Sequence, residues 1–230
     1  MVNVQARLIV LFSFCGIILI IYTNIKHNGY KGSNKDDFKL QPQMMISGGR
    51  IKPEKQDQMA KKLPGVINIG VSKCGTGALQ TYMKIHPNIV TYPHLEAETH
   101  FFDKKINQRL PFEQEIQRYK NMMPEAFPNE TVYEKTPSYF DVEVVDPYDL
   151  YRMNPAVKLI LLVCDPVRRT MSAYLNQVYL RGLDKPYEYY TLDEDGNVNA
   201  EAENIHKGRY DKPLLEYLKY FPQNKIHILE

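Results

Sequence analysis

The chain has 230 residues, in which 29 lysines and arginines are opposed by 27 acidic residues, so its formal net charge at pH 7 is only +2. This balance does not indicate a protein that binds polyanions through its overall charge, and any basic groove must come from a local arrangement of residues. The three cysteines are too few for a disulfide-dense scaffold.

The N-terminal segment is predicted to anchor the chain in a membrane. Residues 8–23 are almost wholly apolar and uncharged and follow Arg7, which favours a short cytosolic tail at residues 1–7. As a helix they would extend about 24 Å at about 1.5 Å per residue, which suits a thin Golgi membrane better than the cell surface. A secretory segment is the alternative, but no small-residue cleavage pattern follows, so one uncleaved transmembrane helix is predicted.

Two further regions follow the predicted anchor. Residues 24–62 are rich in Lys, Gln, Asn, Gly and Met without periodicity, which predicts a flexible stem. Residues 63–230 leave about 165 residues, enough for one α/β domain with a core. Strands are predicted at 66–69, 89–92, 131–136 and 158–163, and helices at 78–85, 112–122, 146–153 and 166–180. The expected fold is a P-loop-like central parallel sheet flanked by helices.

The stretch Val66–Leu79 is predicted to form a strand, an anion-binding loop and the start of a helix. Three glycines and Thr76 interrupt the apolar run, which allows a tight turn, and free N–H groups at the helix start would face an anion. Lys73 adds a positive charge, but it precedes the Gly75–Thr76 pair, so the loop is not a Walker A motif. A glycine-rich turn between two core elements is the alternative interpretation.

A second candidate site is the segment Glu98-Thr-His100-Phe-Phe-Asp103. Its phenylalanine pair must be buried, which would hold the neighbouring polar groups at a fixed edge. Alternation along an extended chain would put Glu98 and His100 on one face, where a carboxylate beside an imidazole can act as a general base. The alternative is a solvated acidic loop that caps an aromatic anchor.

The predicted strand at 131–136 ends in Lys135-Thr136-Pro137-Ser138. Ligands bind beyond the carboxyl ends of strands in open parallel sheets, so these four residues are candidates for ligand contact. Lys135 could equally be an ordinary surface lysine.

The predicted strand at 158–163 leads into a third candidate segment. Asp165 is expected to cap a helix with Pro166 in its first turn, which explains part of the motif structurally. The cationic Arg169 and the hydroxyl of Ser172 would then leave the same sheet edge as the Lys73 loop. Two phosphate-type sites at two parallel strands indicate a bis-phosphorylated nucleotide.

Taken together, these motifs resemble the heparan sulfate sulfotransferases of the Golgi, most closely the glucosaminyl 3-O-sulfotransferases, with the N-sulfotransferase domain as a near relative. The resemblance covers 64–230 and implies the sulfotransferase fold. It implies 3′-phosphoadenosine 5′-phosphosulfate (PAPS) as the donor and a heparan sulfate chain as the acceptor, with no nucleic-acid partner and no metal. It also implies a single-pass type II Golgi protein with a luminal catalytic domain, for which Asn129 would be a glycosylation acceptor.

The resemblance also implies roles for individual residues. Glu98 would deprotonate the acceptor hydroxyl, with His100 and Asp103 positioning it, while Lys73 and Lys135 stabilise the charge that develops on the leaving group. The residues implied in cofactor binding are Lys73, Cys74, Gly75, Thr76, Gly77, Cys164, Arg169 and Ser172. The residues implied in substrate binding are Glu98, His100, Asp103, Lys135, Thr136, Pro137 and Ser138.

The sequence departs from the 3-O-sulfotransferase pattern at two positions. Gly77 stands where an arginine contacts acidic substrate, and Cys164 stands where an arginine binds the 3′-phosphate. The N-sulfotransferase relatives also lack these arginines, so N-sulfation and a non-catalytic glycan- or nucleotide-binding relative stay open as alternatives. Family members continue beyond position 230, so a C-terminally incomplete domain is expected. The sequence leaves open whether Cys74 and Cys164 are bridged.

Overall fold

The computed structural model describes residues 58–92, 98–104 and 110–230, together with the backbone of 12–14 and 17–19. The chain divides into two compact units, Met1–Lys52 and Pro53–Glu230.

In the first unit, strand β1 (Phe12–Phe14) pairs antiparallel with strand β2 (Ile17–Leu19). These strands stand inside the segment 8–23 that was predicted to be a transmembrane helix, so the structure does not support that helix. Of the helices in the described ranges, none combines the length and the apolar character needed to cross a bilayer. Short runs of Phe and Ile suit strand and helix alike, and hydrophobicity alone does not separate the two. The remainder of 8–23 and most of the predicted stem lie outside the described residues.

The second unit is built around a five-stranded parallel sheet. In chain order its elements are β3 (Ala60–Lys61), β4 (Val66–Gly70), α1 (Thr76–Met83), β5 (Ile89–Thr91), α2 (Phe112–Met122), β6 (Glu125–Ala126), β7 (Thr131–Lys135), α3 (Pro147–Met153), β8 (Lys158–Leu162), α4 (Pro166–Arg181), α5 (Glu203–His206), α6 (Asp211–Leu218) and β9 (Ile226–Leu229). The strand order is β5-β7-β4-β8-β9, with every neighbouring pair parallel. The predicted central parallel sheet flanked by helices is confirmed, and β4 lies at its centre.

Local sequence explains the main elements of this unit. Every residue of β4 is buried, as expected for an apolar strand covered on both faces. Helix α4 begins at Pro166, where the Asp165 side chain accepts a hydrogen bond from the Arg168 N–H at 2.8 Å, and ends at Gly182 in the left-handed conformation. The predicted cap is therefore confirmed. Helix α1 begins and ends two residues earlier than the predicted 78–85.

Two glycines near the predicted anion-binding loop differ sharply in the space around them. A Cβ added to Gly70, at the end of β4, would lie 2.7 Å from the Phe140 Cβ and 3.2 Å from the Pro137 carbonyl oxygen. The Phe140 Cβ is bonded to the backbone and the Pro137 oxygen is part of it, so neither atom can rotate away from the added Cβ. A Cβ added to Gly77 would meet nothing within 4 Å.

We therefore expect Gly70→Ala to lower the free energy of unfolding by about 1–3 kcal/mol, because overpacking displaces neighbouring backbone. Gly77→Ala is the matched control and should be neutral or up to about 1 kcal/mol more stable, because alanine favours the helix. Urea unfolding of both variants measures the difference. Equal stabilities of the two would contradict the close packing at Gly70.

Candidate active site

The loop between β4 and α1 forms one side of the candidate site. Lys73 and Gly75 both have left-handed backbone, with φ of 75° and 88°. This conformation is uncommon for a lysine, and such outliers concentrate at functional sites. Helix α1 begins immediately afterwards at Thr76, so its first N–H groups have no partner within the helix and can receive an anion.

A disulfide bond joins this loop to the end of β8. Cys74 and Cys164 are bridged, with their Cα atoms 5.4 Å apart. The Tyr210 hydroxyl donates to the Cys164 carbonyl oxygen at 3.1 Å and lies 3.8 Å from the Cys74 sulfur. The sequence left open whether these cysteines are bridged, and the structure shows that they are. The Cys164 sulfur is therefore not a free thiol.

A continuous chain of polar contacts runs through the second candidate segment. The Lys135 Nζ atom lies 2.8 Å from Glu98 Oε1, and Glu98 Oε2 lies 3.3 Å from His100 Nε2. On its other side, His100 Nδ1 lies 2.6 Å from Asp103 Oδ2, which also accepts a hydrogen bond from the Ser138 hydroxyl. These five side chains, predicted from two separate segments, form one cluster.

The backbone reaches this arrangement differently from the prediction. Glu98 and His100 were expected on one face of an extended strand, but His100 has a φ of 47°, so the chain turns there. The two side chains meet through this left-handed turn. Phe101 and Phe102 are buried as predicted and stack edge to face with ring centroids 5.1 Å apart, which anchors the turn in the core.

A cleft of about 260 Å³ lies above the carboxyl ends of the central strands. Of the predicted site residues, it is lined by Lys73, Glu98, His100, Pro137, Ser138 and Arg169. The other predicted cofactor residues lie outside this lining: Cys74, Gly75, Thr76 and Gly77 at the start of α1, Cys164 after β8, and Ser172 on α4. Thr136 is fully buried and lies behind the cleft.

Arg169 is placed differently from a free phosphate-binding arginine. Its side chain is only 2 % exposed and donates through Nη2 to the Asn204 carbonyl oxygen, which also accepts from the Thr170 hydroxyl at 2.9 Å. Burial lowers the pKa of the Arg169 guanidinium from its usual value. Arg169 thus holds α5 against α4 and presents only part of its surface to the cleft.

The sequence did not single out the opposite wall of the cleft. There Lys207 Nζ lies 2.7 Å from Glu203 Oε1 and 3.4 Å from Asp141 Oδ2, beside Asn176 and Asn204. These residues belong to no recognisable motif and meet only in the folded chain. Across the three described ranges of this unit, no group of three His, Cys, Asp or Glu side chains could hold a metal ion.

Glu134 belongs to the same motif as Lys135, Thr136 and Pro137, but the sequence assigned it no role. It is fully buried in β7, next to Lys135. Burial raises its pKa to about 7, against the opposing effect of hydrogen bonds from Thr136 and Thr99.

This shift predicts a pH-dependent stability. The folded protein binds the Glu134 proton more tightly than the unfolded chain, so its contribution to stability is full below about pH 4.5 and is lost as the pH rises to about 7. Between pH 5 and pH 8, the free energy of unfolding of wild type should therefore fall by about 2–3 kcal/mol relative to that of Glu134→Gln. Urea unfolding of both proteins at the two pH values measures this, and a constant difference would contradict it.

Comparison with solved structures identifies the fold. A solved sulfotransferase from Alicyclobacillus acidocaldarius superposes on the chain with a TM-score of 0.59 at 21 % identity and covers 73 % of each chain. At this identity the likeness establishes the sulfotransferase fold. No protein-family model matches the chain.

Sequence comparison shows which sulfotransferases the chain is similar to. The chain is 35 % identical over 179 residues to mouse heparan sulfate glucosamine 3-O-sulfotransferase 5, covering 75 % of this chain and 49 % of the relative. It is 34 % identical over 168 residues to human 3-O-sulfotransferase 3A1, covering 72 % of this chain and 39 % of the relative. The chain is thus a homologue of the heparan sulfate glucosamine 3-O-sulfotransferases, and the resemblance predicted from its motifs is confirmed. It spans about half the length of the curated relatives that it matches.

Proposed function

We propose that this protein transfers a sulfuryl group from PAPS to the 3-hydroxyl of glucosamine residues in heparan sulfate. The observation that carries the proposal is the chain of contacts from Lys135 through Glu98 and His100 to Asp103 at the edge of the cleft. The relatives named for this activity support the acceptor class.

The proposed role of Glu98 is to remove the acceptor proton. Glu98 Oε2 takes the proton while the acceptor oxygen forms its bond to sulfur, and the bond from sulfur to the bridging phosphate oxygen breaks. His100, 3.3 Å from Glu98 Oε2 and 2.6 Å from Asp103, fixes the orientation of the carboxylate. Lys135, which is 6 % exposed, holds the other Glu98 oxygen and supplies positive charge in a low-dielectric setting.

The residues around α1 fit the donor. A phosphosulfate needs hydrogen-bond donors and positive charge, and the α1 N-terminus with Lys73 provides both. Lys73 is exposed, and no ion pair is found for it within the described parts of the chain. PAPS supplies a sulfuryl group that is already activated, so the contribution of these residues is positioning and electrostatic stabilisation.

The test is transfer of labelled sulfate from PAPS to heparan sulfate by the folded protein, followed by disaccharide analysis. Label on the 3-hydroxyl supports the proposal, and label on the amino group indicates an N-sulfotransferase. Absence of any incorporation would overturn it.

The second candidate is a relative that binds nucleotide or glycan without turnover. Cys164 and Gly77 favour it, because neither provides the guanidinium implied at these positions by the resemblance. Loss of one charged phosphate contact costs about 1.5–3 kcal/mol, or about one to two decades in affinity. Binding of 3′-phosphoadenosine 5′-phosphate without transfer would identify this case.

We also propose that the second unit is a luminal Golgi domain, tethered by the part of the predicted stem that precedes β3 and anchored by the apolar segment 8–23. The Cys74–Cys164 bridge supports an oxidising compartment. Asn129 is exposed in a turn before β7, where a glycan could be attached. Removal of a glycan by an endoglycosidase, with Asn129→Gln as the control, tests luminal placement, and carbonate extraction of membranes tests the anchor.

A further inference from the structure

A set of buried hydrogen bonds lies directly behind the catalytic cluster. The Thr99 hydroxyl lies 2.9 Å from Glu134 Oε1 and 2.7 Å from the Tyr139 hydroxyl. The Thr99 N–H donates to the Thr136 hydroxyl oxygen at 3.1 Å, and that hydroxyl donates to the same Glu134 oxygen. Each of these side chains is at most 9 % exposed, so none can exchange its partner for water.

The donors and acceptors in this set allow one consistent direction. The Phe101 N–H donates to the Tyr139 hydroxyl at 3.1 Å, Tyr139 donates to Thr99, and Thr99 donates to Glu134. A second path runs from the Thr99 N–H through Thr136 to Glu134. Both paths end on Glu134 Oε1, since each hydroxyl has a single proton to give. Thr99 is thereby fixed at its backbone and its side chain.

The sequence neighbours of these residues carry the proposed chemistry. Glu98 precedes Thr99, and Lys135 follows Glu134. The same two segments are therefore joined twice, by the Glu98–Lys135 contact of 2.8 Å and by the Thr99–Glu134 contact of 2.9 Å. We propose that Glu134 and Thr99 are positioning residues, whose buried hydrogen bond sets the placement of Glu98 against Lys135 and His100. This inference rests on the proposed function, because it assigns Glu98 the role of base.

The surroundings of Glu134 indicate that a neutral acceptor is sufficient. Its titratable neighbours are Tyr119 from α2, Tyr139 from the turn after β7, Tyr133 on its own strand and Glu98, and none of these is a cation. Glu134 Oε2 has no hydrogen-bond partner among the residues described. A glutamine at this position keeps one carbonyl oxygen for both hydroxyl donors and adds no charge. Glu134→Gln should therefore preserve the arrangement, whereas Glu134→Leu should remove it.

The experiment compares four variants in the labelled-PAPS transfer assay. Thr99→Val should lower kcat by about 10- to 100-fold, as expected for a misplaced catalytic group, with the KM for PAPS changed less than about 3-fold. Glu134→Leu should lower kcat to a similar extent, whereas the kcat of Glu134→Gln should stay within about 3-fold of the wild-type value. Thr191→Val is the matched control: Thr191 is also buried and donates to the Tyr187 carbonyl oxygen at 3.0 Å, but it does not line the cleft. Its kcat should not change.

Crystal structures of Thr99→Val and Thr191→Val give a readout that does not depend on activity. The Glu98–Lys135 contact should open beyond hydrogen-bond distance in Thr99→Val and persist in Thr191→Val. An unchanged contact in Thr99→Val, or a kcat equal to that of Thr191→Val, would overturn the inference while leaving the proposed function standing. A wild type without transfer would overturn the proposed function, and the structures would still decide the positioning role.

Discussion

Glu98→Gln is expected to lower the rate of sulfuryl transfer by about 10²- to 10⁴-fold, the usual contribution of a positioned general base. Glutamine has nearly the shape of glutamate, and its carbonyl oxygen can still accept the hydrogen bond from Lys135. It cannot take up the acceptor proton. Stability should therefore change little, while turnover is lost, and labelled-PAPS transfer with purified protein measures the effect.

Glu143→Gln is the matched control for Glu98→Gln. Glu143 is also a carboxylate that contacts a histidine, His206, at 3.5 Å, but its side chain is 67 % exposed and it does not line the cleft. Its removal should leave transfer within about twofold of wild type, because exposed ion pairs contribute little. Full activity of Glu98→Gln would exclude Glu98 as the base and return the cluster to a structural role.

The elements that the sequence predicted well are those whose signals are local. The buried strands β4 and β8 are short apolar runs, and the start of α4 is encoded within four residues by Asp165 and Pro166. Because ligands bind where parallel strands end, Lys135 at the end of a predicted strand was also a candidate for ligand contact, and its ammonium group lies in the cluster with Glu98.

The features that the sequence missed depend on contacts between distant residues. Glu134 is buried because Thr99, 35 positions earlier, satisfies it, and nothing within β7 signals that partner. The Cys74–Cys164 bridge was left open and not missed, because it spans 90 positions and depends on the loop conformation after β4. The turn at His100 was missed because a positive φ is uncommon outside glycine and the alternation argument assumed an extended chain.

Removal of the disulfide in the double variant Cys74→Ala, Cys164→Ala should lower the free energy of unfolding by about 2–5 kcal/mol, because the bridge closes a long loop in the unfolded chain. That loop includes β5, α2 and β7, so the constraint covers much of the sheet. Affinity for 3′-phosphoadenosine 5′-phosphate should fall as well, since the bridge ties the Lys73 loop to the end of β8. Urea unfolding measures the first effect, and calorimetric titration with the nucleotide measures the second.

Reduction provides the control for this prediction. Dithiothreitol should destabilise wild type by the same amount and should not affect the double variant, which has neither cysteine of the bridge. Tyr210→Phe separates the covalent link from its surroundings, because it removes the hydroxyl that donates to the Cys164 carbonyl oxygen and leaves the bridge intact. Its cost should be only about 1 kcal/mol, the usual contribution of one hydrogen bond. If mass spectrometry confirms the bridge in wild type but reduction changes neither its stability nor its nucleotide affinity, then packing alone holds the loop.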